Sequence, residues 1–331
     1  MKYRKLGKTD LEVSVVTFGA WAIGGWMWGG ADKKDAIEAI RSAYDQGVTS
    51  IDTAPVYGQG TSEEIVREAL DGIGRDKVQI LTKYGMRWDI KKGDYAFSSK
   101  DEEGRHLDIY KYAARDGIRK EIEDSLRRLG TDYIDLYQIH WPDRTTPIQE
   151  SMETVAELIK EGKVRYAGVC NYGIEDLAEA ENYIDLASDQ VPYSMVNRDI
   201  EDEVIPWCMK NNRSVIAYSP LQRGLLTGKF KPGHKFNEGD NRADMHYFQD
   251  ENIKRTNEFL DKIKPMADEK GLTLAQLAIL WTVEQPGITI ALVGARNASQ
   301  AVQNARSMNS QLSDQEIEII NRELGKLRLV E

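Results

Sequence analysis

Cysteine is almost absent from this chain. Cys170 and Cys208 are the only two in 331 residues, too few for a disulfide framework or a cysteine-rich metal site. Histidine is nearly as scarce: the four, at 106, 140, 234 and 246, show neither an H-x-H nor an H-E-x-x-H ligand spacing, so no metal is expected. Positive charge is in deficit, with 44 basic against 54 acidic side chains and a formal net charge of −10. Nucleic acid is therefore not an expected partner, because phosphate binding needs a net basic face. No apolar run approaches the roughly 20 residues that cross a bilayer. The opening MKYRKLGKTD has no apolar export core either, so the expectation is no membrane partner and a cytoplasmic location. Proline is sparse, 9 against 27 glycines, and no Pro/Gly/Ser-rich linker splits the chain. What is present is ordinary core and surface material, 41% hydrophobic and 30% charged residues, which points to a globule with a small-molecule ligand.

Short β-branched runs alternate with helical patterns along the whole length. Strands are expected near 15–19, 48–52, 78–83, 133–139, 164–169, 189–193, 214–218 and 288–293. Amphipathic stretches fall between and after them, near 33–46, 61–71, 112–129, 148–161, 174–185, 200–211, 273–284 and 298–307. Eight strand-then-helix units, most with strands that are nearly continuous apolar runs, predict an α/β fold with one domain over 1–331: a closed (β/α)8 TIM barrel. Thr61 with Glu64 and Thr273 with Gln276 fit capping boxes, and Thr146-Pro147 places a cap before a first-turn proline. Three pieces stand outside the repeat. Residues 1–14 read as a β-hairpin turning at Gly7-Lys8-Thr9-Asp10 and placed to plug the barrel floor. Two long loops, 85–111 after the third strand and 221–250 after the seventh, fall on the face where barrel active sites are built. A last helix near 313–327, with Ser313 and Glu316 as a capping box, leaves no long tail to cover a pocket.

In this register a polar residue able to do chemistry stands at the C-terminal end of nearly every strand: Asp52, Lys83, His140, Asn171, Tyr218 and Arg296. A phenol has an ordinary pKa of about 10 and is a poor proton donor near neutrality. A nearby ammonium stabilises the phenolate and lowers that value. Tyr57, in the stretch VYGQG, is then the candidate general acid toward a carbonyl oxygen, Lys83 its tuner, Asp52 the anchor of Lys83 and His140 a donor that orients the carbonyl. The bland alternative is an Asp52–Lys83 ion pair that only stabilises the fold.

At this point the chain resembles a known family, the aldo-keto reductases. The resemblance rests on IDTAPVYG with SEE at 62–64, LTK at 81–83, SLRRLGTDYIDLYQIHWPD at 125–143, GKVRYAGVCNY at 162–172, YSPLQRGLLTGKF at 218–230 and VGARNASQAVQN at 293–304. The GLLTGK and GARNASQ stretches look like those of the bacterial general-stress-protein and potassium-channel β-subunit-like branch. The resemblance implies the barrel with its hairpin, NADPH (NADP+) bound without a Rossmann motif, and a catalytic tetrad that falls on Asp52, Tyr57, Lys83 and His140.

No G-x-G-x-x-G follows any strand, which agrees with that implication. By resemblance Ser219, Leu221, Gly224, Leu225 and Lys229 line a pyrophosphate, with Arg242 reaching in from the far side; Arg223 adds a further cation to this loop. Arg296 and Gln300 open the helix after the eighth strand. A helix N-terminus with a guanidinium suits a 2′-phosphate, which favours NADPH over NADH, while Gln303 and Asn304 face the adenosine. Tyr218 is assigned to stack on the nicotinamide, and Cys170, Asn171 and Gln190 to bind its carboxamide; Ala20, Trp21, Asp52 and Gly294 complete the expected cofactor contacts. The family usually has Ser where this chain has Cys170, and a thiol is the weaker donor. Substrate walls are expected from Trp21, Tyr57, Trp88, His140 and Trp141, with Trp26 and Trp28 alongside, an aromatic pocket for a small-molecule aldehyde or ketone. Two further readings remain at this stage: a redox-sensing NADP(H)-binding subunit with slow turnover, and a metal-dependent barrel hydrolase, which the histidine count disfavours.

Overall fold

The computed structural model describes residues 1–330. The chain opens with β1 (Tyr3–Lys5) and β2 (Glu12–Ser14), paired antiparallel as the turn residues foretell. Eight apolar runs then form β3 (Val16–Gly19), β4 (Ser50–Asp52), β5 (Gln79–Tyr84), β9 (Ile134–Ile139), β10 (Val164–Cys170), β11 (Leu186–Pro192), β12 (Ser214–Tyr218) and β13 (Ile288–Gly294). These eight are all parallel and close on themselves in the order β10-β11-β12-β13-β3-β4-β5-β9. The β-hairpin supplies Leu6, Leu11 and Val13 to one buried cluster with the barrel-interior residues Leu81, Leu136, Ile216 and Ile290. It therefore stoppers the N-terminal end of the barrel and leaves the C-terminal mouth as the open one.

The covering helices are α1 (Lys33–Asp45), α2 (Thr61–Ala69), α3 (Arg115–Leu129), α4 (Ile148–Lys160), α5 (Ile174–Ala180), α6 (Val204–Asn211), α8 (Leu274–Glu284), α9 (Ala298–Arg306) and α10 (Asp314–Leu324). Capping boxes form at Thr273/Gln276 and Ser313/Glu316 as expected. Two other caps differ. Gly60, at φ 104°, precedes α2, so Thr61 is already helical and no Thr61/Glu64 box forms. Pro147 precedes α4 and the Thr146 hydroxyl donates instead to Asp143 at 2.7 Å, a stronger acceptor than a backbone group. The amphipathic stretch at 174–185 ends early, at Ala180, and β11 begins three residues before the expected 189.

The two insertions are more ordered than loops. Residues 85–111 build a three-stranded antiparallel sheet, β6 (Met86–Arg87), β7 (Asp94–Lys100) and β8 (His106–Lys111), in the order β6-β8-β7. The second insertion leads into a 20-residue helix, α7 (Asp250–Glu269), which the sequence reading passes over. Its buried Ile253, Thr256, Phe259, Leu260, Ile263 and Ala267 carry the helical spacing, but dense charge and Pro265 mask it. By its contacts α7 covers α8, and this accounts for α8 being apolar on all sides, with Leu277 to Val283 buried.

Candidate active site

Parallel register brings distant residues to one mouth. Asp52 ends β4, Lys83 lies one residue before the end of β5, and His140 directly follows β9. Lys83 is fully buried, and its ammonium donates to Asp52 Oδ1 at 2.5 Å and to the Thr53 carbonyl at 2.9 Å. The other carboxylate oxygen of Asp52 accepts from Gln190 Nε2 at 2.8 Å and Gln138 Nε2 at 3.2 Å. Tyr57 sits in the turn after β4, with the Lys83 nitrogen 5.1 Å from its ring centroid and the His140 ring edge-on at 5.6 Å. Gly58 holds that turn at φ 63°; a Cβ there would meet the Gly24 carbonyl oxygen at 2.4 Å, so only glycine lets the two loops approach and lock Tyr57.

The electrostatics invert one expectation. Burial pushes the Tyr57 phenol up to about 12, and Lys83 offsets only part of that rise. Desolvation works against the Lys83 ammonium, but Asp52 and the phenol outweigh it and hold the group above its ordinary value. His140 is driven well below the usual imidazole range by burial and by Lys83, so it is a neutral ring. Cys170 is likewise pushed well up by burial and stays a thiol. The cluster thus offers a protonated phenol beside a fixed positive charge, the arrangement that lets a phenol give up a proton and leave a stabilised phenolate.

These groups open onto a cavity of about 700 Å³, within the ordinary range for small-ligand sites. Ala20, Trp21, Asp52, Tyr57, His140 and Trp141 line its mouth end. Asn171, Gln190, Tyr218, Ser219 and Leu221 continue it, Arg223, Gly224, Lys229 and Arg242 come from the segment after β12, and Gly294, Arg296, Gln300, Gln303 and Asn304 close the far end. Asn171 and Ser219, both lining the cavity, hold left-handed backbones at φ 60° and 57°.

Four expected residues do not line the cavity. Cys170 is buried behind it, beside Lys83 and Asp52. Leu225 is buried instead in a small core with Phe248 and Ile253, because the kinked 3-10 segment Gln222–Thr227 that it belongs to packs on α7. Trp88 packs beside Met86 and Ile109 at the inserted sheet, away from the cavity surface. Lys83 also lies behind the surface and reaches the cavity only through Tyr57. Gln190 lines the cavity, yet its amide nitrogen is committed to Asp52 and Gln138. Residues the sequence reading missed include Val56, Met86, Phe97, Phe230 and Asn241, with Met27 beside the Trp26 it did note. Phe97 stacks on Trp26 at 6.2 Å, and only the fold of the inserted sheet brings them together.

A roof crosses the cavity. Trp28 pairs with Asp240 in an antiparallel bridge, the Asn241 N–H donates to the Met27 carbonyl at 3.3 Å, and Arg296 donates to the Gly30 carbonyl at 2.8 Å. Arg242 is held by Asp240 at 2.6 Å.

Fold and cavity together define a (β/α)8-barrel enzyme with its ligand site at the C-terminal mouth. Comparison with known proteins narrows the class: the aldo/keto reductase family model matches residues 15–323, and the chain belongs to that family. It is 40% identical over 302 residues to aldo-keto reductase YhdN of Bacillus subtilis (strain 168), covering 91% of this chain and 86% of that one. It is 37% identical over 319 residues to the NADH-specific methylglyoxal reductase of Escherichia coli (strain K12), covering 95% of each. Among solved structures it is similar to the glycerol dehydrogenase AKR11B4 from Gluconobacter oxydans, with a TM-score of 0.87 at 36% identity over 99% of this chain and 97% of that one. The chain is an oxidoreductase acting on carbonyl or CH–OH groups, in a family that uses a nicotinamide cofactor. No helix of the described residues is long and apolar enough to cross a membrane.

Proposed function

We propose that the protein reduces small-molecule aldehydes or ketones to alcohols with NADPH, using Tyr57 as general acid. The observation that carries this reading is the meeting of Asp52, Lys83, Tyr57 and His140 around one end of the cavity. Away from the tetrad the cavity has the chemistry a dinucleotide needs, the cations Lys229 and Arg296, while Arg223, 4.7 Å above the Trp21 ring, and Tyr218 lie nearer the mouth. Tyr218 and Asn171, joined by a 3.0 Å hydrogen bond, would hold the nicotinamide ring and its amide. Lys229 and the left-handed Ser219 would face the diphosphate, and Arg296 with Gln300 at the start of α9 the 2′-phosphate. A bound reduced nicotinamide supplies hydride to the carbonyl carbon.

The chain's own part is proton delivery. Tyr57 gives its phenolic proton to the carbonyl oxygen as negative charge develops there, and Lys83 stabilises the phenolate left behind. Asp52 keeps that ammonium protonated and in place. His140, being neutral, donates a ring N–H to the same oxygen without competing for the proton.

Steady-state oxidation of NADPH with a panel of aldehydes tests the reading. Multiple turnover that falls by roughly 100-fold or more in Tyr57→Phe is the expected result. Tight nucleotide binding with no turnover on any carbonyl would instead support a redox-sensing subunit. Fluorescence titration with NADPH and NADH tests the cofactor: Arg296→Ala is expected to abolish a preference for NADPH. An unchanged preference removes Arg296 from the 2′-phosphate site.

A further inference from the structure

Residues two apart in a regular strand share a face, so Tyr95 and Phe97 on β7 are expected to point the same way. They do not. Tyr95 pairs with Tyr110 and Phe97 with Ile109, which leaves Ala96 between them unpaired as a bulge. Tyr95 is 53% exposed and meets Tyr110 edge-on at 5.7 Å, whereas Phe97 is half-buried and lines the cavity. A bulge re-aims the side chain that follows it, and this one turns an aromatic ring inward. Phe97 and Tyr57 pack against the same buried cluster, which includes Trp26, Val56 and Met86. The inserted sheet therefore walls the end of the cavity that holds the candidate general acid, not the end that holds the cations Lys229 and Arg296.

This lobe has no free hydrogen-bonding group. Of the side chains of Trp26, Met27, Val56, Met86 and Phe97, which all line the cavity, only the Trp26 indole carries an N–H. It is spent on Ser99 Oγ at 3.2 Å and the Lys100 carbonyl at 3.0 Å, so the strand that aims Phe97 also fixes the ring Phe97 stacks on. Two polar atoms of the cavity lining that lack a partner among the described residues, the Trp28 indole nitrogen and the Asn241 amide oxygen, belong to the roof. A hydroxyl carried into the lobe gives up its water and finds no replacement, a penalty that an apolar group does not meet. The Trp26 and Phe97 rings lie only 12° from parallel, which makes their surface broad and flat. We infer that the inserted sheet sets substrate specificity: Phe97, with Trp26, Met27, Val56 and Met86, selects carbonyl compounds whose substituent is apolar and flat, an aryl group above all, over small hydroxylated aldehydes. The inference rests on the carbonyl-reductase reading and deepens it by naming the substrate class. Two methionines let the lobe fit aryl groups of different outline, so discrimination falls on polarity more than on size.

The test is the ratio of kcat/KM for 2-naphthaldehyde to that for glyceraldehyde, measured with whichever of NADPH and NADH supports turnover. Wild type is expected to favour the naphthyl substrate by about 10-fold or more. Phe97→Ser lowers the ratio by about 10-fold or more, chiefly through KM for the naphthyl substrate, while Phe97→Leu, which stays apolar, retains most of it. The dissociation constant of the nucleotide stays within about twofold in both variants, which separates a substrate wall from general loosening of the mouth. Deleting Ala96 restores the alternation and turns Phe97 outward, so a folded deletion variant is expected to match Phe97→Ser. A wild-type ratio below about 10-fold overturns the inference and leaves the reductase reading standing, as does a ratio that Phe97→Ser lowers less than about threefold. Absence of turnover on every carbonyl sinks the reductase reading instead. The lobe is then judged by fluorescence titration with 2-naphthalenemethanol: binding that Phe97→Ser weakens about 10-fold supports it, and equal binding overturns it.

Discussion

Gln190 donates its side-chain amide to Asp52 at 2.8 Å, on the oxygen that Lys83 does not use. The carboxylate is thus held from two sides, by an ammonium and by the amides of Gln190 and Gln138, deep in the barrel mouth. Asp52→Asn leaves Lys83 with no counter-charge at a site where it has no solvent. Breaking such a pair costs about 3–5 kcal/mol. Urea denaturation is expected to show a loss of that size, and a loss below about 1 kcal/mol would mean that Lys83 is rehydrated or neutral.

The pH profile should separate the two directions of reaction. With Tyr57 protonated up to about 12 and His140 neutral far below its ordinary value, kcat/KM for carbonyl reduction is expected to run level from about pH 6 to about pH 9. Alcohol oxidation needs the phenolate as base, so its rate rises with pH and reaches no plateau below that range. A limb near pH 6.5 in the reduction profile would contradict the neutral His140.

Glu121 on α3 makes a different prediction. Its Oε2 accepts the Gly85 N–H at 3.0 Å, where the chain leaves β5 for the inserted sheet, and its Oε1 has no partner among the described residues. Burial pushes this carboxyl up to about 8, with Arg87 pulling the other way. An unfolded glutamate ionises near 4.3. Between those values the folded chain keeps a proton that the unfolded chain has released, so stability falls as pH rises, by up to about 1.4 kcal/mol per unit, and levels off above the folded value. Thermal melts of wild type and Glu121→Gln across that interval check it: the wild type loses stability with rising pH and the glutamine variant loses less. Parallel curves would show that Glu121 is already ionised in the fold.

The β-hairpin stopper makes a prediction that leaves the chemistry alone. Leu6 is fully buried under the barrel, far from the mouth. Leu6→Ala is expected to cost about 2–5 kcal/mol of stability. KM for an aldehyde should not move at a temperature where the variant remains folded. A matching change in KM would mean that floor and mouth are mechanically linked.

Much of this architecture is legible in the residues. Strand runs such as VQILTK and YIDLYQI declare buried parallel strands, because both faces of each must be covered, and the first polar residue after each run marks the mouth. Asp52, Lys83 and His140 could be picked out on that ground. The inserted sheet and α7 could not. Alternation in DYAFSSK is short, and the helical spacing in α7 is crossed by charge and a proline. Side-chain direction was also out of reach: Trp88, Cys170 and Leu225 have the right composition for a pocket and face elsewhere.

What the amino-acid order determined, then, is the periodicity, the capping at Thr273 and Ser313, and which polar groups end up at strand termini. Those follow from interactions within a few residues. Tertiary structure decided which donors are employed and which are idle, and it set the Tyr57 phenol high where local chemistry alone argued for low. Burial and pairing are properties of what surrounds a group from every direction, and most of those neighbours come from remote parts of the chain.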